Sequence, residues 1–260
     1  MNIQTKYPVV LVHGMMLKDF KYYRAFRKIA EHLESNGVKC YVTNQDGVGS
    51  IENNALQLKE MIELILDIEK TDKVNIIAHS KGGLDSRLMI HKYDMGKHIA
   101  SLTTLSTPHH GSKISSNLLK MPKWMAKLVA FWINLFYKVF KDKNPDILAL
   151  ANDLTDYKMK EFNRNVLNSN QVYYQSYSSD LDNKKTYLMM IPHKLSKYCE
   201  SDKTDGVVSV ESSKWGEYQG NMHGDFDHIK MVGAYGSKKQ IEEVNNFYLE
   251  IIADLSKRGF

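Results

Sequence analysis

Val74-Asn75-Ile76-Ile77-Ala78-His79-Ser80-Lys81-Gly82-Gly83 decides the fold. An apolar, β-prone run stops at a serine flanked by small residues, and the sequence then turns helical, so the segment reads as strand, sharp turn and helix. A serine on such a turn sits in a strained backbone conformation with its hydroxyl presented outward; this is a nucleophile elbow. The turn is so tight that the positions two before and two after the serine must be small. Gly82 meets that demand, and Ala78 adds one methyl group where the G-x-S-x-G pattern has its first glycine. A five-residue pattern of this kind also fits an ordinary helix N-cap, so its surroundings must carry the rest of the argument.

An elbow requires an upstream strand whose following loop lends a backbone N–H, then a downstream acid, then a histidine. Tyr7-Pro8-Val9-Val10-Leu11-Val12-His13-Gly14-Met15 supplies the upstream part: a continuous apolar run, as a parallel strand buried on both faces needs, ending at a glycine. The amides of Met15 and of Lys81, the residue after the serine, are the candidate donors to a developing oxyanion. Asp205, in the Asp205-Gly206 pair, is the candidate acid, although Asp-Gly also makes a plain turn and Asp202 lies nearby. Only His223 and His228 follow it, and His228, in Asp227-His228-Ile229 ahead of the last helical segment, is the candidate base. With an ordinary pKa near 6.5, a histidine can take the serine proton at neutral pH once a carboxylate fixes its tautomer. His13, His79, His109 and His110 precede the acid and read as packing or hydrogen-bonding residues around the site.

These segments, together with Thr103-Thr104-Leu105-Ser106-Thr107-Pro108-His109-His110-Gly111-Ser112 and Thr204-Asp205-Gly206-Val207-Val208-Ser209, resemble the bacterial triacylglycerol lipases and carboxylesterases of the α/β-hydrolase superfamily. The resemblance implies Ser80 as nucleophile, Asp205 as acid, His228 as base, and Met15 and Lys81 as oxyanion donors. Many relatives hold a structural calcium through an aspartate two residues after the catalytic histidine. Here that position is Lys230, so no metal is expected, and no cofactor.

Element order alternates. Strands are expected over 9–13, 40–43, 74–78, 102–105, 172–177 and 187–191, and helices over 22–34, 54–69, 84–93 and 239–255, which is the order of a mostly parallel sheet covered on both faces. At 260 residues, without repeats, low-complexity tracts or linkers, the chain reads as one α/β-hydrolase domain over 1–260. Cys40 and Cys199 are too few for a disulfide framework. No basic, apolar and small-residue leader opens the sequence, so it reads as cytoplasmic, or as a processed mature form if secreted.

Residues 113–160 form a helical insertion with lid character. Trp124, Leu128, Phe131, Trp132, Leu135 and Val139 recur at helical spacing behind Pro122. From 113 to 143 seven lysines face Asp142 alone, so the chain's net charge of +5 resides in this insertion. An apolar face edged by lysines suits a lid over an acyl pocket in transient contact with a lipid surface, and it also suits an ordinary core-packed helix pair. Lysines inside the apolar run argue against a transmembrane span, and nothing accompanies them that would indicate nucleic-acid binding. The expected activity is hydrolysis of carboxylic esters of apolar acyl chains through an acyl-enzyme on Ser80. Two alternatives stay open: a thioesterase or acyltransferase using the same three residues, and a non-catalytic membrane-surface protein.

Overall fold

The computed structural model describes residues 4–15, 25–181, 203–222 and 226–260. At its centre is a six-stranded sheet in the order β2-β1-β3-β4-β5-β6, built from β1 Val9–Val12, β2 Cys40–Val42, β3 Val74–His79, β4 Ile99–Leu105, β5 Tyr173–Ser178 and β6 Glu217–Asn221. Every neighbouring pair is parallel. Parallel neighbours require crossovers, and helices supply them. Helix α1 Arg27–Ser35 joins β1 to β2, α2 Ile51–Glu69 joins β2 to β3, and α3 Lys81–Lys92 leads from β3 toward β4. Four helices intervene between β4 and β5: α4 Lys113–Lys120, α5 Lys123–Val139, α6 Ile147–Asp153 and α7 Asp156–Asn165. A C-terminal helix, Lys238–Lys257, packs back on the sheet.

Period-two alternation divides β1 between two cores. Val9 and Leu11 pack with Ile29 and Leu33 of α1 and with Ile251, Ile252 and Leu255 of the C-terminal helix. Val10 and Val12 pack on the other face with Leu58 and Ile62 of α2 and with Met89 and Ile90 of α3. Both faces being covered, β1 has no polar side to show, which is why it reads as an unbroken apolar run.

Several boundaries differ from those expected. Helix α1 begins at Arg27 because Phe26 adopts a left-handed φ of 65° that interrupts a helix from 22; positions 22–24 lie outside the described residues. Helix α2 starts at Ile51, where Ser50 Oγ caps it by accepting from Asn53 N at 3.2 Å. Helix α3 starts at Lys81, not near residue 84, since the chain coils directly off the elbow and Gly83 N returns to Ser80 O at 3.1 Å. The strand expected over 187–191 also lies outside the described residues. The sixth strand of the sheet is Glu217–Asn221, an edge strand whose one partner among the described residues is β5. Having one neighbour and a half-exposed surface, it needs no apolar run, and the polar sequence gives no strand signal.

In the insertion, α5 turns Ala126, Ala130 and Tyr137 inward, where Ala130 and Tyr137 pack with Val48, Ile147 and Leu150. Trp124, Leu128, Phe131, Trp132 and Leu135 are on its exposed side, with Trp124 69% and Trp132 61% accessible. No helix among the described residues is long and apolar enough to cross a membrane.

Candidate active site

Ser80 occupies the one-residue gap between β3 and α3 with φ 55° and ψ −134°, a conformation that side chains rarely adopt. It is held there from both sides: Ser80 N donates to Leu105 O at 2.9 Å, and Thr107 Oγ1 donates to Ser80 O at 2.7 Å. The small-residue rule has a measurable cause. A β-carbon on Gly82 would meet His13 O at 2.6 Å and Val12 O at 2.9 Å, since α3 leaves the elbow against the end of β1. Ala78, fully buried, is accommodated inside the sheet.

The loop after β1 comes equally close. A β-carbon on Gly14 would lie 2.7 Å from Ser80 Cβ and 3.1 Å from Lys81 N. The backbone leading into Met15 therefore runs beside the amide of Lys81, and His13 Nδ1 bonds Gly14 O at 2.9 Å.

Asp205 lies in a tight turn, where Gly206 takes φ 97°, Thr204 and Ser209 form an antiparallel bridge, and Gly206 N donates to Thr204 Oγ1 at 3.1 Å. One carboxylate oxygen, Oδ1, accepts from Val207 N at 2.9 Å and Val208 N at 2.8 Å. The other faces His228 Nδ1 at 2.7 Å. A carboxylate can only accept, so the histidine proton sits on Nδ1; Nε2 is left to accept from Ser80 Oγ, 2.8 Å away. His228 N also donates to Asp205 O at 3.1 Å, which locks the two residues together through backbone as well as side chain. The structure thus brings together Ser80, Asp205 and His228, all buried, from segments far apart along the chain. His223 and Asp202, their competitors by position, lie outside the described residues.

The remaining histidines surround this line. The ring of His79 lies 4.4 Å from that of His228, tilted by 48°, and burial holds its pKa well below the ordinary histidine value, helped by charge on His228 and His13 and opposed by a hydrogen bond to the His228 backbone. It is a neutral ring beside His228. His109 bonds Thr104 Oγ1 through Nε2 at 3.0 Å and stacks on Trp215. Arg87, buried with its pKa pushed down to about 9 by desolvation, lies 3.6 Å over the Trp215 ring and donates to Asn163 Oδ1 at 2.9 Å. His110 bonds Lys214 O at 3.2 Å.

At the position where the resemblance would place a calcium ligand, Lys230 brings its ammonium to 4.0 Å from Asp227 Oδ2. The buried Asp227 carboxylate also accepts from Ile229 N at 3.0 Å, from Lys230 N at 2.9 Å and from the Tyr235 hydroxyl. Among the described residues no group of three or more histidine, cysteine or acidic side chains could hold a metal ion.

Sequence reasoning missed a second polar cluster behind the elbow. Lys81 Nζ donates to both carboxylate oxygens of Asp85, at 2.7 and 2.8 Å, and both side chains are buried. The i, i+4 spacing of Lys81 and Asp85 was the available signal, one that ordinarily marks a solvated helix face.

Residues 7–209 match the family described as alpha/beta hydrolase fold. The chain is similar to triacylglycerol lipase 2 of Saccharomyces cerevisiae, 33% identical with 89% of this chain and 73% of the yeast protein aligned. It is also 33% identical to a triacylglycerol lipase of Pseudarthrobacter phenanthrenivorans, over 62% of this chain and 54% of that one, so it spans about half the length of the bacterial relative. Among solved structures, a Bacillus licheniformis lipase in its mature form has the same fold, with a TM-score of 0.68 at 19% identity over 97% of this chain and 93% of that one. The chain belongs to the α/β-hydrolase family.

Proposed function

We propose that this protein hydrolyses carboxylic esters of apolar acyl chains, with Ser80 as nucleophile, His228 as general base and acid, and Asp205 as the group that orients and electrostatically supports the imidazole. The observation that carries this reading is the unbroken hydrogen-bonded line from Asp205 through His228 to Ser80. Similarity to triacylglycerol lipases supports the substrate class.

The steps follow from the geometry. His228 Nε2 takes the hydroxyl proton as Ser80 Oγ adds to the ester carbonyl, and the imidazolium is stabilised by Asp205. Negative charge collects on the former carbonyl oxygen, where the amides of Met15 and Lys81 meet it. The tetrahedral adduct collapses as His228 returns the proton to the alcohol, which leaves an acyl-enzyme. Water, deprotonated by the same nitrogen, then releases the fatty acid and restores Ser80.

Residues 113–160 act as a lid on a single domain, and Trp124, Leu128, Phe131, Trp132 and Leu135 are its substrate- or interface-facing residues. The support is their exposure: a run of large apolar side chains turned outward, edged by lysines, suits transient contact with a lipid surface.

The deciding experiment is covalent labelling with a fluorophosphonate, mapped by peptide mass, alongside hydrolysis of p-nitrophenyl esters of increasing chain length and of emulsified triglyceride. Label confined to Ser80, and lost in both Ser80→Ala and His228→Ala, is the expected result. Equal labelling of all three proteins overturns the assignment.

A further inference from the structure

The loop that follows β2 is short, polar and buried, and it makes contact with three parts of the molecule. Gln45 Nε2 donates to His13 O at 2.5 Å, at the start of the loop that carries Met15. Asp46 reaches the insertion: its Oδ1 accepts from Lys143 N at 2.9 Å and its Oδ2 from Asn144 N at 3.3 Å. Beside it Val48 N donates to Asp142 Oδ2 at 3.0 Å, and Asp146 N donates to Val48 O at 3.0 Å. In the third direction Asn54 Nδ2 donates both to Asp46 O at 2.6 Å and to Asp85 Oδ2 at 3.1 Å. Asp85 in turn holds the ammonium of Lys81.

There is little slack in this path. A β-carbon on Gly49 would meet Asn54 Oδ1 at 2.5 Å and Asp46 Cβ at 3.0 Å, so the loop lies directly on Asn54. Lys81 itself is badly placed for stability alone. A cation in the first turn of a helix opposes the helix dipole, and burying an ammonium costs more than burying an apolar side chain of the same length. What the lysine gains is a fixed connection for the residue that follows the nucleophile.

We propose that Asp46, Asp85 and Lys81 are positioning residues for hydrolysis at Ser80: the seating of the insertion on Asp46 is carried through Asn54 and Asp85 to Lys81, and holds the Lys81 amide where the oxyanion forms. This rests on the hydrolase reading above. None of the three side chains touches substrate; they act through the backbone of residue 81.

A double-mutant cycle measures the coupling along this path. The readouts are kcat and KM for soluble p-nitrophenyl acetate, with the thermal midpoint measured in parallel, for the parent protein, Asp46→Asn, Lys81→Met and the double variant. Asp46→Asn turns one acceptor oxygen into a donor facing a backbone N–H and so loosens the insertion. It is expected to lower kcat by about tenfold, in the usual range of coupling factors, with KM changed by less than about twofold. In the double variant kcat is expected to equal that of the weaker single variant, because the path is already cut. Losses that multiply, or a midpoint that falls while kcat stays at the parent value, overturn the proposal. If Lys81→Met does not fold, Asp85→Asn replaces it in the cycle under the same criteria. Ser80→Ala separates the two levels: activity surviving in that variant defeats the hydrolase reading itself, whereas activity lost there with a multiplicative cycle defeats only the positioning role.

Discussion

A β-carbon on Gly14 would stand 2.7 Å from the β-carbon of Ser80, closer than two side chains can approach. The same added atom would lie 3.0 Å from His79 O and 3.1 Å from Lys81 N, so the loop after β1 rests on the elbow only because residue 14 has no side chain. Gly14→Ala must therefore push that loop outward and carry the Met15 amide with it. Losing one oxyanion donor typically costs 10²–10³ in kcat, and we expect a loss of about that size with KM nearly unchanged. Steady-state kinetics on a soluble ester checks this; a KM effect without a kcat effect would place Met15 elsewhere in the reaction.

Asp205→Asn is expected to abolish most turnover while leaving the fold intact. Asn Oδ1 can still accept from Val207 N and Val208 N, so the turn survives. Its NH₂ group, however, now faces His228 Nδ1, which must become the acceptor; the ring proton moves to Nε2 and the histidine can no longer take the Ser80 proton. A loss of about 10⁴-fold in kcat follows from the wrong tautomer, with a thermal midpoint close to the parent's. Retention of activity would remove Asp205 from the reaction.

Strain at Ser80 gives a stability test independent of catalysis. With φ 55° and ψ −134°, the residue holds a conformation that costs of order 1–3 kcal/mol for any residue with a β-carbon. Ser80→Ala keeps that cost and Ser80→Gly releases it, against roughly 0.5–1 kcal/mol for the glycine's extra freedom when unfolded. Both variants are expected to be inactive, with the glycine variant the more stable in denaturant titration. The reverse order would mean that the elbow is not strained.

Much of this site is legible in the sequence because each catalytic candidate is announced by backbone chemistry as well as by its own side chain. Ser80 follows an apolar strand and precedes a glycine that must be one, and Asp205 precedes a glycine with φ 97°. The sheet is legible where strands are buried on both faces, as β1, β3 and β4 are, and at the edge strand β2, whose Cys40-Tyr41-Val42 is still apolar; it fails at Glu217–Asn221, a half-exposed edge strand of largely polar sequence. Asp46 and Asp85 are hidden for a different reason. Asp46-Gly47 has the composition of a solvated turn, and Lys81 with Asp85 that of an exposed helical ion pair; only tertiary packing makes them buried. Charge in a sequence argues for the surface unless the packing around it is known: the amides that meet Asp46 come from residues 143 and 144, and the Lys81–Asp85 pair is joined by Asn54 from another helix.

Calcium removal is expected to leave the protein unaffected. Lys230 already brings a positive charge to within 4.0 Å of Asp227, and the backbone amides of residues 229 and 230 and the Tyr235 hydroxyl donate to that carboxylate. Activity and thermal midpoint should be the same with and without a chelator. Lys230→Ala, by contrast, should lower the midpoint by roughly 2–4 °C, the shift that about 1 kcal/mol produces in a chain of this size. A chelator-dependent midpoint in the parent protein would show an ion in that role.

The buried Lys81–Asp85 pair has a pH signature. Desolvation raises the Asp85 carboxyl from 3.8 to about 6 despite the opposing pull of Lys81 and Asn54, and nearby Asp153 pushes in the same upward direction. Because the folded state then binds this proton more tightly than the unfolded chain, the contribution of Asp85 to stability is greatest below about pH 4, declines as pH rises to about 6, and is flat above. Asp85→Asn cannot titrate, so the difference in unfolding free energy between parent and variant should change across that interval and be constant on either side. Asp153, whose carboxyl burial also raises, is present in both proteins, so only its coupling to Asp85 enters the difference. Urea titrations at pH 4, 5, 6 and 7 measure the difference directly. A difference that does not vary with pH would mean that Asp85 stays ionised throughout, with Lys81 fully offsetting its burial.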